Sequence, residues 1–219
     1  MRTVPPLPLS PAAVLALGGL IAAAPALAQD EGLYDPAPPP GAAFVRVINL
    51  AGGDAAEEVT IGQNFAGSVA ALQASPYYVV EERETAIALG DAEATAEIEP
   101  GRFFSVVARA GADGLAVTTL EDTPNTDRTK AQLALYNLTP EADVDLVTAD
   151  DKVVVFDDVG PDSAQYRTVN AVTIGLAVKV NGTVVATFDA VPLERGMAFG
   201  FLVGGDGPSV EMVRAETRR

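Results

Sequence analysis

Histidine and cysteine are both absent from this chain, and tryptophan is absent as well. Without cysteine the chain forms no disulfide, and it carries no site for the lipid of a lipoprotein. Without histidine it lacks the commonest general base and the commonest metal ligand. Ser-His-Asp and Cys-His catalysis are therefore excluded. Without tryptophan it lacks the usual stacking platform of sugar-binding modules, and aromatic residues make up only 6% of the chain. Basic residues are scarce too, at 14 against 30 acidic. These absences point to a protein that binds, positions or assembles and carries no cofactor.

What is present begins with an export signal. Arg2 precedes an apolar run of 13 residues at 12–24 (AAVLALGGLIAAA), then Ala26-Leu27-Ala28 and the polar Gln29-Asp30. This order matches a secretory signal peptide cleaved after Ala28. The run is shorter than the ~20 residues that span a bilayer. The expected location is a bacterial periplasm, with no membrane span in the mature chain. Residues 1–28 contain one basic residue and no acid. The mature chain thus keeps 13 basic and 30 acidic residues, a formal charge of −17. Such a charge argues against nucleic acid and anionic lipid as partners. It is also the ordinary charge of a soluble exported surface.

Residues 29–42 form a proline-rich arm in which Asp35-Pro36-Ala37-Pro38-Pro39-Pro40-Gly41 has four prolines in seven positions. Proline there favours extended structure. Leu33 and Tyr34 are the arm's bulky residues and its candidate anchors. From residue 43 the pattern turns β. Short runs rich in Val, Ile, Thr and aromatics alternate with Gly, Pro and Asp turns every 8–12 residues. Strands are expected at 44–50, 59–61, 77–80, 85–89, 94–99, 103–109 and 116–120. A second series follows at 131–137, 144–147, 153–156, 172–180, 183–188 and 197–203. Asn181-Gly182 supplies a type I′ hairpin turn. Residues 64–74 read as a short helix or a loop. The polar stretch 122–129 reads as a linker. The expected fold is all-β: two antiparallel β-sandwich domains, immunoglobulin-like or jelly-roll-like, at 43–121 and 130–215. The halves also look alike. Val45-Arg46-Val47-Ile48-Asn49-Leu50 parallels Leu133-Ala134-Leu135-Tyr136-Asn137-Leu138. A Glu-x-Gly turn before an aromatic strand recurs at Glu99-Pro100-Gly101 and Glu194-Arg195-Gly196.

Candidate chemistry is thin. Asp150-Asp151 and Asp157-Asp158 are paired acids, but neighbouring residues on a strand point to opposite faces, and no calcium-loop spacing is present. Glu81, Glu82 and Glu84 have the same reading as solvated acids. Ser68, Ser75, Ser105, Ser163 and Ser209 lack a nucleophile-elbow context. A Ser-Lys dyad would need Lys130, Lys152 or Lys179, and Lys179 is expected on the outer face of its hairpin. Tyr77, Tyr78 and Tyr166 are candidates for a sugar platform. Arg102 and Arg109 are candidates for a local basic patch.

At Leu33-Tyr34-Asp35-Pro36, and again at Gly41-Ala42-Ala43-Phe44-Val45-Arg46-Val47-Ile48-Asn49, the chain resembles the AlgF family of periplasmic alginate O-acetylation components. The resemblance implies a non-catalytic adaptor that supports acetylation of mannuronate hydroxyls. It implies as partners a periplasmic acetyltransferase and a membrane-bound O-acyltransferase, with the polysaccharide itself as a further candidate. Leu33, Tyr34, Pro36, Phe44, Arg46 and Asn49 carry the motif and are the candidate contact residues. The −17 charge departs from what a polyanion-binding protein would carry and favours basic surfaces of partner proteins. A free-standing exported interaction or carbohydrate-binding module is the alternative.

Overall fold

A computed structural model describes residues 39–53, 55–140, 142–205 and 209–216. The expected leader, and Leu33, Tyr34 and Pro36 of the expected arm, lie outside the described residues. All sixteen described elements are strands. The first eight are β1 (Ala43–Leu50), β2 (Glu57–Ile61), β3 (Asn64–Val69), β4 (Tyr78–Val80), β5 (Glu84–Leu89), β6 (Ala92–Glu97), β7 (Phe103–Gly111) and β8 (Gly114–Asp122). The second eight are β9 (Ala131–Asn137), β10 (Val144–Thr148), β11 (Val154–Val159), β12 (Ser163–Val169), β13 (Thr173–Val180), β14 (Thr183–Pro192), β15 (Met197–Gly204) and β16 (Ser209–Glu216). Among the described residues no helix is long and apolar enough to cross a membrane.

The strands form four four-stranded sheets, ordered β4-β1-β7-β8, β3-β2-β5-β6, β12-β9-β15-β16 and β11-β10-β13-β14. Adding eight to every strand number of the first half gives the order of the second. The internal likeness in sequence is therefore a duplicated topology. All pairings are antiparallel except one in each half, β1 with β7 and β9 with β15. A parallel pair needs a long crossover, and the crossover here contains the whole second sheet of each half, together with the edge strand β4 or β12 of the first.

Alternation along the strands builds two conventional sandwich cores. Val45, Val47, Val59, Ile61, Ile87, Phe104 and Val106 fill the first. Leu133, Leu135, Leu146, Leu176, Val178, Phe199 and Phe201 fill the second. Unlike those of an ordinary sandwich, the sheets containing β1 and β9 are apolar on both faces. Their other faces meet in a third core of Ile48, Leu72, Val107, Leu120, Ala134, Tyr136, Leu138 and Leu202. That double burial explains why β9 is buried at every position and why β1 reads as a nearly continuous apolar run. The halves are fused face to face, and all described strands belong to one compact unit, Ala37–Arg219.

Three strands escaped the sequence reading. Residues 64–69 are β3 and not a helix, because the Gly62-Gln63 turn folds them back on β2. There Ala66 and Val69 reach the first core, so tertiary pairing overrides local helix propensity. β12 is too polar to show a strand period, yet it pairs with β9 over seven residues. β16 pairs along β15. Asn181 and Gly182 take positive φ of 49° and 76° between β13 and β14, as a type I′ turn requires.

Candidate functional site

The motif that carries the family resemblance is mostly internal. Asn49 is the penultimate residue of β1, and its side-chain amide donates to the Val69 carbonyl at 2.9 Å and accepts from the Ala51 amide at 2.9 Å. Asn137 ends β9 and repeats the arrangement. It donates to the Val159 carbonyl at 2.7 Å and accepts from the Thr139 amide at 3.0 Å. Each asparagine pins the exit of the first strand to the last residue of the third. Both are fully buried. The two Glu-x-Gly turns also match: Gly101 and Gly196 have φ of 77° and 74°, and their amides donate to Ala42 and Lys130, the residues just before β1 and β9.

Arg46 projects from β1 into the seam between the halves and is 6% exposed. A buried guanidinium requires a counter-charge and acceptors for its donors. Its Nε donates to Ser105 Oγ at 2.8 Å, and its Nη2 donates to Tyr136 OH at 2.7 Å. The rings of Tyr77 and Tyr136 lie 4.7 and 5.3 Å from its guanidinium carbon. Asp122, the last residue of β8, is the counter-ion at 3.9 Å. Its Oδ2 accepts from Ser105 Oγ and Tyr77 OH, and its Oδ1 accepts from Tyr136 OH and Tyr166 OH, all at 2.7 Å. Four hydroxyls thus converge on one carboxylate, two from each half. Tyr136 accepts from the arginine and donates to the aspartate, so it relays between the two charges across the seam. Among the described residues every buried side-chain nitrogen and oxygen has a partner.

The electrostatics follow from this enclosure. Burial works against the Arg46 charge, but Tyr136, Tyr77 and Asp122 outweigh it and hold the guanidinium above its ordinary pKa. Burial is the largest influence on Tyr77, Tyr136 and Tyr166 and pushes all three hydroxyls up; Arg46 pulls Tyr77 and Tyr136 back without cancelling the rise. The tyrosines therefore stay protonated and act as donors. A further link across the seam runs from Arg109 on β7 to the Leu138 carbonyl at 3.2 Å and to the Asp162 carboxylate.

These placements correct several expectations. Arg46 and Asn49 are internal and offer no contact surface. Phe44 is half-buried, stacked on Phe103 with ring centroids 4.3 Å apart. Tyr77 and Tyr166 belong to the seam cluster, and Tyr78 packs on the first core, so none is a sugar platform. Arg102 and Arg109 form no basic patch, because Glu121 takes the first at 2.6 Å and Asp162 takes the second. Lys179 is only 18% exposed and reaches Asp151 at 2.6 Å. Asp122, assigned to the linker, is buried at the end of β8. The lone charged residue of a mostly apolar strand was the available signal for a buried acid elsewhere in the chain.

The paired acids divide. Asp150 caps its own turn, accepting from Lys152 and Thr148, and those bonds lower its pKa to about 2. Asp157 and Asp158 do not point to opposite faces. A bulge in β11, with Asp158 at φ 49°, turns both towards Asp145, and the three offer carboxylate oxygens within 4.8 Å of one another. Asp157 chiefly, with burial, Asp145 and Asp143, raises the Asp158 pKa. As arranged, the three carboxylates, two of them exposed, offer one ligand oxygen each, three of the six to eight that calcium takes.

Residues 13–200 match the family model described as Alginate O-acetyl transferase AlgF. The chain is 30% identical to the alginate biosynthesis protein AlgF of Pseudomonas aeruginosa over 196 residues, covering 90% of this chain and 87% of that one. It is 27% identical to the protein of the same name from Pseudomonas fluorescens over 211 residues, covering 96% and 94%. A solved structure of the C-terminal domain of AlgF from P. aeruginosa is 33% identical and covers 40% of this chain and 98% of that domain, with a TM-score of 0.35. By the span of the family match and the identity to its relatives, the chain belongs to the AlgF family.

Proposed function

We propose that this protein is a non-catalytic periplasmic subunit of an alginate O-acetylation machinery, supporting acetyl transfer to mannuronate hydroxyls by partner acyltransferases. The names of its relatives and of its family supply the setting. The observation that carries the accessory role is the condition of its nucleophiles and bases. Ser105 donates to a carboxylate, as an activated serine would, but it is 0% exposed and cannot meet a substrate. The three lysines donate to Asn170, Asp150 and Asp151, and among the described residues none is hydrogen-bonded to a serine. No histidine or cysteine exists to take their place. What remains is an acidic scaffold whose buried polar groups are taken up in bonds within and between its halves. Such a body suits holding partners in register.

The test is genetic and chemical. Deleting the gene should leave polymer production intact and abolish acetylation. The purified chain, incubated with an acetyl donor and unacetylated alginate, should transfer nothing. Normal acetylation in the deletion strain, or transfer by the isolated chain, would overturn the proposal.

A further inference from the structure

The outer sheet of the first half, β3-β2-β5-β6, has a face that the fold itself does not explain. Its inner face carries Val59, Ile61, Ile87, Leu89 and Ala96 into the first core. Cross-strand register sets the outer face in rows: Phe65, Thr60, Ala88 and Glu93; Ala86 and Thr95; Glu84 and Glu97; Ser68 and Glu58. The centre is a floor of small side chains. Phe65 stands at one edge, 61% exposed. Glu58, Glu84, Glu93 and Glu97 rim the floor, all exposed.

These four strands contain no lysine or arginine. None of the four rim carboxylates has an ion pair or a hydrogen-bond donor among the described residues. Elsewhere Arg46, Arg102, Arg109, Lys152, Lys179 and Arg214 each pair with an acid. Glu84 and Glu97 sit directly opposite each other on neighbouring strands. Like charges in that relation destabilise a sheet. A sheet face with an exposed aromatic anchor, ringed by unneutralised acids, is costly in the free protein and becomes favourable against a basic surface.

We propose that this face is a docking surface for a partner protein that presents lysine or arginine side chains around an apolar recess for Phe65. The proposal rests on the adaptor reading and locates the contact within it. A polyanionic polysaccharide is disfavoured as occupant, because four unpaired carboxylates repel it.

The test uses the full-length protein in the deletion strain and, purified, against the periplasmic acetyltransferase subunit and the membrane-bound acyltransferase in detergent. One variant combines E58Q, E84Q, E93Q and E97Q, and a second is Phe65→Ser. A control of equal charge change combines D113N, D157N, D158N and D189N, all exposed and off this sheet. Both face variants should weaken binding to at least one subunit by about tenfold or more, as loss of interface anchors does. The control should change it by no more than about threefold, the effect expected of general charge alone. Wild-type binding should weaken between about 0.05 M and about 0.5 M salt, and the quadruple glutamine variant should lose most of that dependence. In the cell the face variants should lower polymer acetylation towards the deletion level. The glutamine variant should unfold at an equal or higher urea concentration than wild type, since it removes repulsion, so misfolding will not account for its defect. If deletion abolishes acetylation but both face variants restore it fully, this proposal fails and the adaptor role stands. If deletion leaves acetylation intact, the adaptor role fails first. A control variant as defective as the glutamine variant, or wild-type protein that binds neither subunit, also overturns the docking surface.

Discussion

Replacing Asp122 with alanine removes one carboxylate and strands five side chains. Arg46 keeps its charge with no counter-ion 3.9 Å away, and Ser105, Tyr77, Tyr136 and Tyr166 lose the acceptor each reaches at 2.7 Å. At that separation the attraction is roughly 4 kcal/mol for an effective dielectric of about 20. Part of this only offsets the desolvation of both ions. Removing one partner, however, leaves the other's desolvation uncompensated, and such losses run to about 3–5 kcal/mol. Against a typical domain stability of about 5–15 kcal/mol, Asp122→Ala should shift the urea midpoint strongly downward. The chain has no tryptophan, so far-UV circular dichroism and tyrosine absorbance are the probes. The decisive comparison is a double-mutant cycle. Arg46→Met alone should also be costly, whereas the double variant should fall short of the sum of the singles by about 1.5 kcal/mol or more. The reasoning fails if Asp122→Ala costs less than about 1 kcal/mol, the scale of an ordinary exposed pair, or if the two changes simply add.

High pH should attack the same seam. The folded pKa values of Tyr77, Tyr136 and Tyr166 are raised, so above about pH 10 the unfolded chain releases protons that the folded chain retains. Stability is thus fully present below pH 10 and declines above it, by up to about 1.4 kcal/mol per pH unit for each tyrosine. Absorbance at alkaline pH should show three of the five tyrosines ionising only as the fold is lost; three that titrate freely in folded protein would contradict the burial. Asn49→Ala and Asn137→Ala should each destabilise by about 1–3 kcal/mol, because each leaves buried backbone groups unsatisfied. The second should cost more, since Asn137 also bonds to Ala142 and to the Thr139 hydroxyl; denaturant midpoints decide. Gly101→Ala should cost about 1–2 kcal/mol from its positive φ alone, as nothing lies within 4 Å of the added methyl. A stability equal to wild type would refute that backbone argument.

Much of the fold was legible because it is written in short-range chemistry. Period-2 alternation marked most strands, Asn181-Gly182 marked a hairpin, and the repeated Asn-Leu ending marked the duplication. The failures share a cause. β3 (NFAGSV) has no alternating apolar run, and β12 is polar, so neither carries a period of its own; each becomes a strand because a neighbour offers backbone partners. Asp157 and Asp158 share a face only because the ladder bulges opposite Asp145. For the site, Arg46 was noticed as part of a motif, but its meaning depended on Asp122 and Tyr136, 76 and 90 positions away. No local pattern joins such residues.

From sequence alone came the all-β class, the two-fold repetition, the acidic balance and the exclusion of histidine and cysteine chemistry. Those follow from composition and from backbone preferences that act over a few residues. Only the tertiary structure decided that the two sandwiches share a third core, that the motif residues Arg46 and Asn49 are internal, and that the unpaired glutamates gather on one sheet face. The physical reason is that burial and charge pairing are settled by which surfaces meet. In this chain the surfaces that meet belong to halves that are far apart in sequence.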